Sequence, residues 1–175
     1  MSKLSSRVAA AFLAACRAEL DALKPGNVHV HAPGHRMTVE DFLKSAAAAA
    51  PAIAAPGLSV GQRILAAVEA TRAAVGQNTN LGIVLLAAPL AQAALAGATG
   101  EGLRAGVERV LTTLSLDDAR LAFRAIALAN PGGLGNAPEA DVREEPTVTL
   151  LEAMRLAEDR DRIAWNYAHG LADPF

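Results

Sequence analysis

The sequence predicts an all-α protein, a single compact bundle of about seven helices around a central apolar helix. Hydrophobic residues make up 52% of the 175 residues but aromatic residues only 3%, so the core is built mostly from Ala, Leu, Val and Ile. Such residues suit closely packed helices, whereas strands favour β-branched and aromatic side chains. No segment alternates polar and apolar residues over the length of a strand. A chain of this size forms one domain with its own core.

The first three predicted helices begin at polar capping residues and end at a proline or a glycine. Pro25 ends the first helix, because proline lacks the helical N–H and its ring clashes with the preceding turn. Pro51 is expected to break the second helix in the same way. The predicted ranges are about 5–23, capped by Ser5 or Ser6; 38–50, opened by the capping box Thr38-Val39-Glu40-Asp41; and 59–76, opened by Ser59-Val60-Gly61-Gln62.

The fourth predicted helix, about 81–98, is the most apolar segment, and Gln92 is its one polar side chain. Its length is at the lower edge for a membrane span, but Pro89, the alanine content and the lack of close basic residues favour a position among other helices. We therefore expect it at the centre of the bundle, and we expect no membrane partner. Two helices follow at 101–113 and 115–129, and a last helix of some twenty residues begins at Thr149, with the charged run 158–162 on its solvated face.

Charge and cysteine content limit the possible functions. A net charge of −2 argues against general nucleic-acid binding, which needs a basic excess. The single cysteine, Cys16, rules out an internal disulfide and is compatible with a reducing compartment, so a cytoplasmic protein is expected.

The segment 24–37 crowds cationic groups into a stretch that cannot be helical throughout. It contains Lys24, Arg36 and histidines at positions 29, 31 and 35, with Pro25 and glycines at 26 and 34 between them. Such a loop is suited to holding a phosphate-rich anion. The simpler alternative is a basic helix C-terminus followed by a tight turn. A further alternative is a metal-dependent hydrolase that uses His29, His31 and His35 as ligands, although no carboxylate stands beside them at metal-site spacing.

A second polar segment is Gly76-Gln77-Asn78-Thr79-Asn80-Leu81-Gly82, which precedes the apolar helix. Free N–H groups and the positive end of the helix dipole favour an anion at such a position. The alternative is that the Asn and Thr side chains only cap the helix. The Gly- and Pro-rich stretch 130–146 is a third candidate, because loops of this length inside a compact domain are usually functional or mobile.

The two polar segments together carry a family resemblance. Lys24-Pro25-Gly26, Val28, His35-Arg36-Met37 and Phe42, followed by Asn78-Thr79 and Gly82, resemble the triphosphoribosyl-dephospho-CoA synthase family. That family comprises all-α enzymes that use ATP to make the prosthetic-group precursor of citrate and malonate lyase carrier proteins. The resemblance covers most of the chain, including a Gly-rich loop at 131–146. Family chains are longer, so this chain resembles a short form or one without the last helices.

Two departures from the family pattern resemble a distinct branch. Family members typically read Lys-Pro-Gly-Leu-Val-Asp where this chain has Asn27 and His29, and Asn-Thr-His-Lys-Gly where it has Asn80 and Leu81. The branch is associated with archaea and one-carbon-metabolising bacteria that use methanopterin-type cofactors. Dephospho-CoA is therefore one expected acceptor, and a methanopterin- or methanofuran-type precursor is the alternative.

The resemblance implies a reaction in which an acceptor hydroxyl attacks C1′ of the ATP ribose and expels adenine. A non-catalytic ATP- or anion-binding helical protein is the other alternative, and a homodimer is compatible with the Ala-rich helices. The implied roles are phosphate binding for Lys24; phosphate binding or leaving-group protonation for His35 and Arg36; ribose or phosphate contacts for Asn78 and Thr79; the acceptor pocket for Asn27, His29 and Asn80; and further cofactor-binding positions at Gly26 and Gly82. Mg²⁺ is expected with ATP, and Glu19 and Asp41, which flank the loop, are its candidate ligands; the alternative is that these two are ordinary helix-surface or capping residues.

Overall fold

The computed structural model describes residues 2–22, 37–100, 102–131 and 140–175. Within these ranges the chain forms eight α-helices and no strand, so the all-α prediction is confirmed. The helices are α1 (Lys3–Asp21), α2 (Val39–Ile53), α3 (Val60–Val75), α4 (Leu81–Leu95), α5 (Gly102–Thr112), α6 (Leu116–Ala129), α7 (Leu150–Ala157) and α8 (Arg162–Ala168).

Helix α4 lies at the centre of the bundle, as its apolar sequence predicts. It contacts α1, α2, α3, α5 and α8, and its Val84 and Ala88 are fully buried. It ends at Leu95 rather than near Ala98, because the left-handed backbone of Gly97 (φ 93°) cannot continue a helix. None of the described helices is both long enough and apolar enough to cross a membrane.

Polar caps set the starts of the helices. The capping boxes predicted at Thr38 and Thr149 both form, and Ser59, where the third helix is predicted to begin, also opens with one. In each, the hydroxyl of the first residue accepts from the backbone N–H three residues later. The predicted cap of α1 is wrong: Ser2, not Ser5 or Ser6, is the N-cap. Its Oγ accepts from the Ser5 backbone N–H at 3.1 Å, so the helix begins at Lys3, about one turn earlier than predicted.

Pro51 does not break α2, contrary to the prediction, because the helix continues to Ile53. A proline within a helix leaves one carbonyl, four residues back, without its N–H partner. That carbonyl belongs to Ala47, which is exposed, so water can satisfy it. The last turn of α2 buries Ala50 and Ile53 completely or almost completely, and this burial offsets the lost hydrogen bond.

Pro89 lies inside α4 at a buried position and removes one backbone N–H donor from the helix. A side chain replaces that donor. The Tyr167 hydroxyl of α8 donates to the Leu85 carbonyl at 2.7 Å. Leu85 is four residues before Pro89, so its carbonyl is the one that the proline leaves unpaired. Burial raises the pKa of Tyr167, which keeps this hydroxyl protonated as a donor.

The single last helix of the prediction is two helices, α7 and α8. The charged run 158–162, expected on a solvated helix face, instead contains the break between them. Asp161 is the N-cap of α8, and its Oδ1 accepts from the Ala164 backbone N–H at 2.8 Å. A side chain that caps a new helix competes with continuation of the previous one.

The buried Arg63 of α3 explains the polar residue in the central helix. It is 1% exposed, and its guanidinium donates to Gln92 Oε1 at 3.0 Å. Burial lowers the pKa of Arg63 to about 10, so it stays charged at neutral pH. Its remaining acceptors are the carbonyls that end α2 and lead into α3: Ala52, Ile53, Ala55 and Leu58.

Helices α3 and α6 cross at their N-termini around one carboxylate. Asp118 closes its own capping box with Ser115, and its other oxygen, Oδ1, accepts from the Ser59 hydroxyl and the Gly61 N–H, each at 2.7 Å. Gly61 permits the close crossing: a Cβ there would lie 2.6 Å from Asp118 Cα. We call Ser59, Gly61, Ser115 and Asp118 the α3–α6 junction.

Candidate functional site

The predicted site residues divide into two groups. Six of them lie in the described part of the chain: Glu19 on α1, Asp41 on α2, and Asn78, Thr79, Asn80 and Gly82 between α3 and α4 or at the start of α4. The others, with the alternative metal ligand His31, lie outside the described residues: Lys24, Gly26, Asn27, His29, His35 and Arg36. The site can therefore be built up from the turn between α3 and α4.

The turn between α3 and α4 comprises residues 76–80, and we call it the α3–α4 turn. Helix α3 ends at Gly76, whose φ of 72° lies in the left-handed region. Asn78 then caps α4, because its Oδ1 accepts from the Leu81 backbone N–H at 3.2 Å. The capping interpretation therefore accounts for the carbonyl end of Asn78, but neither Thr79 nor Asn80 makes a side-chain cap.

Thr79 connects the α3–α4 turn to α2. Its hydroxyl donates to Ser45 Oγ at 2.5 Å, and the Ser45 hydroxyl donates to the Asp41 carbonyl at 2.6 Å. Ser45 is fully buried and Thr79 is half-buried. Because α2 begins directly after the cationic segment 24–37, this chain of hydrogen bonds ties the second polar segment to the helix that follows the first.

Asn80 faces the interior. Its side chain is 5% exposed, and its Oδ1 accepts from the Thr71 hydroxyl of α3 at 3.1 Å. Its Nδ2 is buried and has no hydrogen-bond partner among the described residues. An unpaired buried amide is costly, so such a group calls for a specific explanation.

A small cavity next to Asn80 is also lined by Thr71, Arg72, Gln77 and Asn78. Its volume of about 10 Å³ is that of a single water molecule. A water there could accept from Asn80 Nδ2, but a nucleotide cannot enter. The described part of the turn therefore offers a ligand its outer surface rather than a closed pocket.

A larger groove of about 510 Å³ runs between the end of α4 and α5. It is formed mainly by small residues such as Ala93, Gly97 and Gly106, with the exposed Arg109 at its wall. None of the six predicted site residues that the structure describes lines it.

Leu81 and Gly82 in the first turn of α4 serve packing. Leu81 is 8% exposed and belongs to the core. A Cβ at Gly82 would lie 3.2 Å from Cδ1 of Ile163, so this glycine lets α8 approach α4 closely.

Asp41 and Glu19 are the predicted magnesium ligands. Asp41 Oδ2 accepts from the backbone N–H and the hydroxyl of Thr38, each at 2.9 Å, and these bonds lower the pKa of Asp41. Glu19 is half-buried near Cys16, whose pKa is raised to about 11 by burial and by the charge of Glu19. Across the described ranges, no group of three His, Cys, Asp or Glu side chains could hold a metal.

Two residues that contact the site were missed from the sequence. Ser45 lies at the start of an alanine run, and Thr71 lies on the buried side of α3. A hydroxyl among residues that are otherwise apolar and buried is the signal that could have identified each, because a buried hydroxyl needs a partner.

Comparison with known proteins agrees with the resemblance. A family model described as ATP:dephospho-CoA triphosphoribosyl transferase matches residues 5–175, which include both polar segments. Comparisons with curated proteins and with solved structures gave no match.

Proposed function

The chain belongs to the ATP:dephospho-CoA triphosphoribosyl transferase family, and we propose that it uses ATP to transfer a triphosphoribosyl group to an acceptor hydroxyl, with release of adenine. The hydrogen bond between Ser45 and Thr79 is the observation that supports a joint site for the two polar segments. Ser45 lies seven residues after Thr38, about 10 Å along the helix, so the α3–α4 turn packs beside the first two turns of α2. The segment 24–37 leads directly into those turns.

The reaction forms a bond between the acceptor oxygen and C1′ of the ATP ribose and breaks the bond between C1′ and the adenine nitrogen. The acceptor loses a proton, adenine gains one, and the triphosphate remains on the ribose. The transition state resembles an oxocarbenium ion, as in glycoside hydrolysis. The protein has to hold the triphosphate, protonate adenine and orient the acceptor.

We assign these tasks to the residues that the family pattern singles out. Lys24 holds the triphosphate, and His35 or Arg36 binds phosphate or protonates the leaving adenine. Asn78 and Thr79 contact the nucleotide. ATP enters with Mg²⁺, which neutralises phosphate charge. Asp41, whose lowered pKa keeps it ionised, and Glu19 are the carboxylates proposed to contact that ion.

Dephospho-CoA is the first candidate acceptor, and a pterin- or furan-type cofactor precursor is the second. One observation supports the second: Leu81 is a core residue in this chain, where the family pattern has a lysine. The α3–α4 turn therefore lacks a cation that the family pattern places there. Asn27 and His29 are the residues proposed to select the acceptor, and the buried Asn80 is proposed to shape their pocket by holding the α3–α4 turn in place.

The test is mass-spectrometric detection of free adenine after incubation with Mg²⁺, ATP and dephospho-CoA. We expect adenine, together with dephospho-CoA heavier by one triphosphoribosyl group. Lys24→Ala should abolish both products, and the exposed Lys3→Ala is the matched control that should retain them. If adenine is released only in the presence of a pterin or furan precursor, that precursor and not dephospho-CoA is the acceptor.

Two other results would contradict the proposed function. ATP binding without adenine release from any acceptor would indicate a non-catalytic binding protein. Purified wild type that contains stoichiometric zinc, and His29→Ala and His31→Ala variants that each lack it, would favour the metal-dependent hydrolase.

A further inference from the structure

We propose that Ser45 is a positioning residue, which fixes the Thr79 hydroxyl so that Thr79 accepts a hydrogen bond from a ribose hydroxyl of ATP and makes no contact with the triphosphate. The inference rests on the proposed function, because it concerns how the same site recognises its nucleotide. It assigns a role to Ser45 and chooses between ribose and phosphate for Thr79.

The direction of the hydrogen bonds follows from the carbonyl at one end. The Asp41 carbonyl oxygen can only accept, so at 2.6 Å the Ser45 hydroxyl must be its donor. A serine hydroxyl has one hydrogen, and that hydrogen is now used. In its contact with Thr79, Ser45 can therefore only accept.

Thr79 must then be the donor across the 2.5 Å contact with Ser45 Oγ. Ser45 is 0% exposed, so no solvent molecule competes for its lone pairs. The hydroxyl hydrogen of Thr79 points into the protein, whereas the residue itself is half-buried and has an exposed part. Only the lone pairs of Thr79 Oγ1 remain for a ligand.

A lone pair recognises a donor and rejects another acceptor. Phosphate oxygens of Mg²⁺-bound ATP are almost entirely deprotonated at neutral pH, so they would be repelled by Thr79 Oγ1. The neighbouring Asn78 uses its Oδ1 to cap α4, so its amide NH₂ is the end that remains for a ligand. Asn78 thus offers a donor and Thr79 an acceptor, and a hydroxyl, which both accepts and donates, can pair with either side chain. The ribose of ATP carries two such hydroxyls, and the 2′-hydroxyl stands on the carbon bonded to C1′, at which the proposed reaction occurs.

The experiment is calorimetric measurement of the dissociation constants of ATP, 2′-deoxy-ATP and 3′-deoxy-ATP with the full chain. We expect the wild type to bind ATP roughly tenfold more tightly than at least one deoxy analogue. Thr79→Val should remove this preference, because it should weaken the binding of ATP and leave the affinity for the more weakly bound deoxy analogue unchanged. Ser45→Ala frees the Thr79 hydroxyl to rotate, so the preference should fall to about twofold.

Controls separate this role from a structural one. Thr112→Val removes an exposed threonine hydroxyl whose one hydrogen bond within the described ranges is to the Arg109 carbonyl, and it should keep the full preference. The ratio of two dissociation constants on one variant is not moved by a general loss of stability. It therefore reports recognition even where Ser45→Ala lowers the melting temperature.

Three results would overturn the inference while leaving ATP binding in place. Equal affinity of the wild type for all three nucleotides would exclude a ribose contact. Equal weakening of all three by Thr79→Val would indicate a phosphate contact. A Thr79→Val effect that disappears when EDTA removes Mg²⁺ would assign the lone pair to the metal ion. Absence of ATP binding by the wild type would instead overturn the proposed function, and the inference with it.

Discussion

Helices α3 and α4 begin in opposite ways. At the α3–α6 junction, the N-terminus of α3 is closed by its own capping box and by Asp118 from α6, whose two oxygens accept four hydrogen bonds. At the α3–α4 turn, Asn80 is the N-cap residue of α4, but its side chain makes no capping hydrogen bond. The buried amide nitrogen of Asn80 has no partner among the described residues.

The difference indicates which helix start stabilises the fold and which has polar groups available to a ligand. A buried polar group that is fully paired stabilises one arrangement, whereas an unpaired one costs stability. The α3–α6 junction has no free polar group to offer a ligand. The α3–α4 turn keeps the amide end of Asn78 and the lone pairs of Thr79 available. We therefore expect substitutions at the junction to change stability and those at the turn to change function.

The largest expected effect is that of Gly61→Ala at the junction. The new Cβ would lie 2.6 Å from Asp118 Cα and 2.7 Å from its carbonyl oxygen, and both are backbone atoms that cannot rotate away. The two helices must move apart, and the free energy of unfolding should fall by about 3 kcal/mol in urea denaturation. Gly102→Ala is the matched control, because nothing lies within 4 Å of its Cβ. A loss below about 0.5 kcal/mol for Gly61→Ala would show that the crossing is not close-packed.

The next largest effect should be that of Asp118→Asn. The amide has one oxygen and one NH₂ group, so it can replace only one of the two accepting oxygens, and the donors at the other end lose their partner. We expect a loss of about 2 kcal/mol by urea denaturation at pH 7. Asp117→Asn on the exposed side of the same turn is the control, since no hydrogen bond in the described part of the structure involves its side chain. Equal stability of the two variants would contradict the role of Asp118.

Acid adds a second readout for Asp118. Burial alone would raise its pKa, but the hydrogen bonds from Ser59, Ser115 and Gly61 outweigh burial and lower the pKa below the ordinary value of 3.8. The unfolded chain therefore binds more protons than the folded chain in this range. The stabilisation is present above about pH 4 and is lost as the pH falls through the folded-state pKa. Asp118→Asn should flatten this part of the stability profile.

The junction could be predicted from sequence only in part. The helix starts at Ser59 and Ser115 could be predicted, because a polar residue that caps a helix is a local signal. That Asp118 also reaches Ser59 and Gly61 could not be predicted, because these residues are 57 and more positions away. Pro51 was assigned wrongly because burial of the last turn of α2 overrides a local preference.

The candidate site could also be predicted only in part. Asn78, Thr79 and Asn80 look alike as polar residues before an apolar helix, and the local pattern left the same two interpretations, an anion site or helix capping, for this segment. The structure separates them: Asn78 caps α4, Thr79 bonds to α2, and Asn80 turns inward to Thr71. These three directions depend on neighbouring helices, which no local pattern contains. Lys24 and the rest of its segment stay predictions, because they lie outside the described residues.

The smallest expected effect on stability is that of Asn80→Ala, and it is the sharpest test of the comparison. The change removes the unpaired Nδ2, and this raises the free energy of unfolding. It also removes the hydrogen bond from Thr71, and this lowers it. The Thr71 hydroxyl can turn to a carbonyl of its own helix, one turn back, so it need not stay unpaired. We expect the free energy of unfolding to change by less than about 1 kcal/mol, well below the effect of Asp118→Asn. Adenine release should fall at least tenfold in the same variant, because Asn80 is proposed to shape the acceptor pocket. Asn80→Ala could instead lose as much stability as Asp118→Asn and retain its activity. That result would mean that the starts of α3 and α4 both stabilise the fold and that the α3–α4 turn is not part of the functional site.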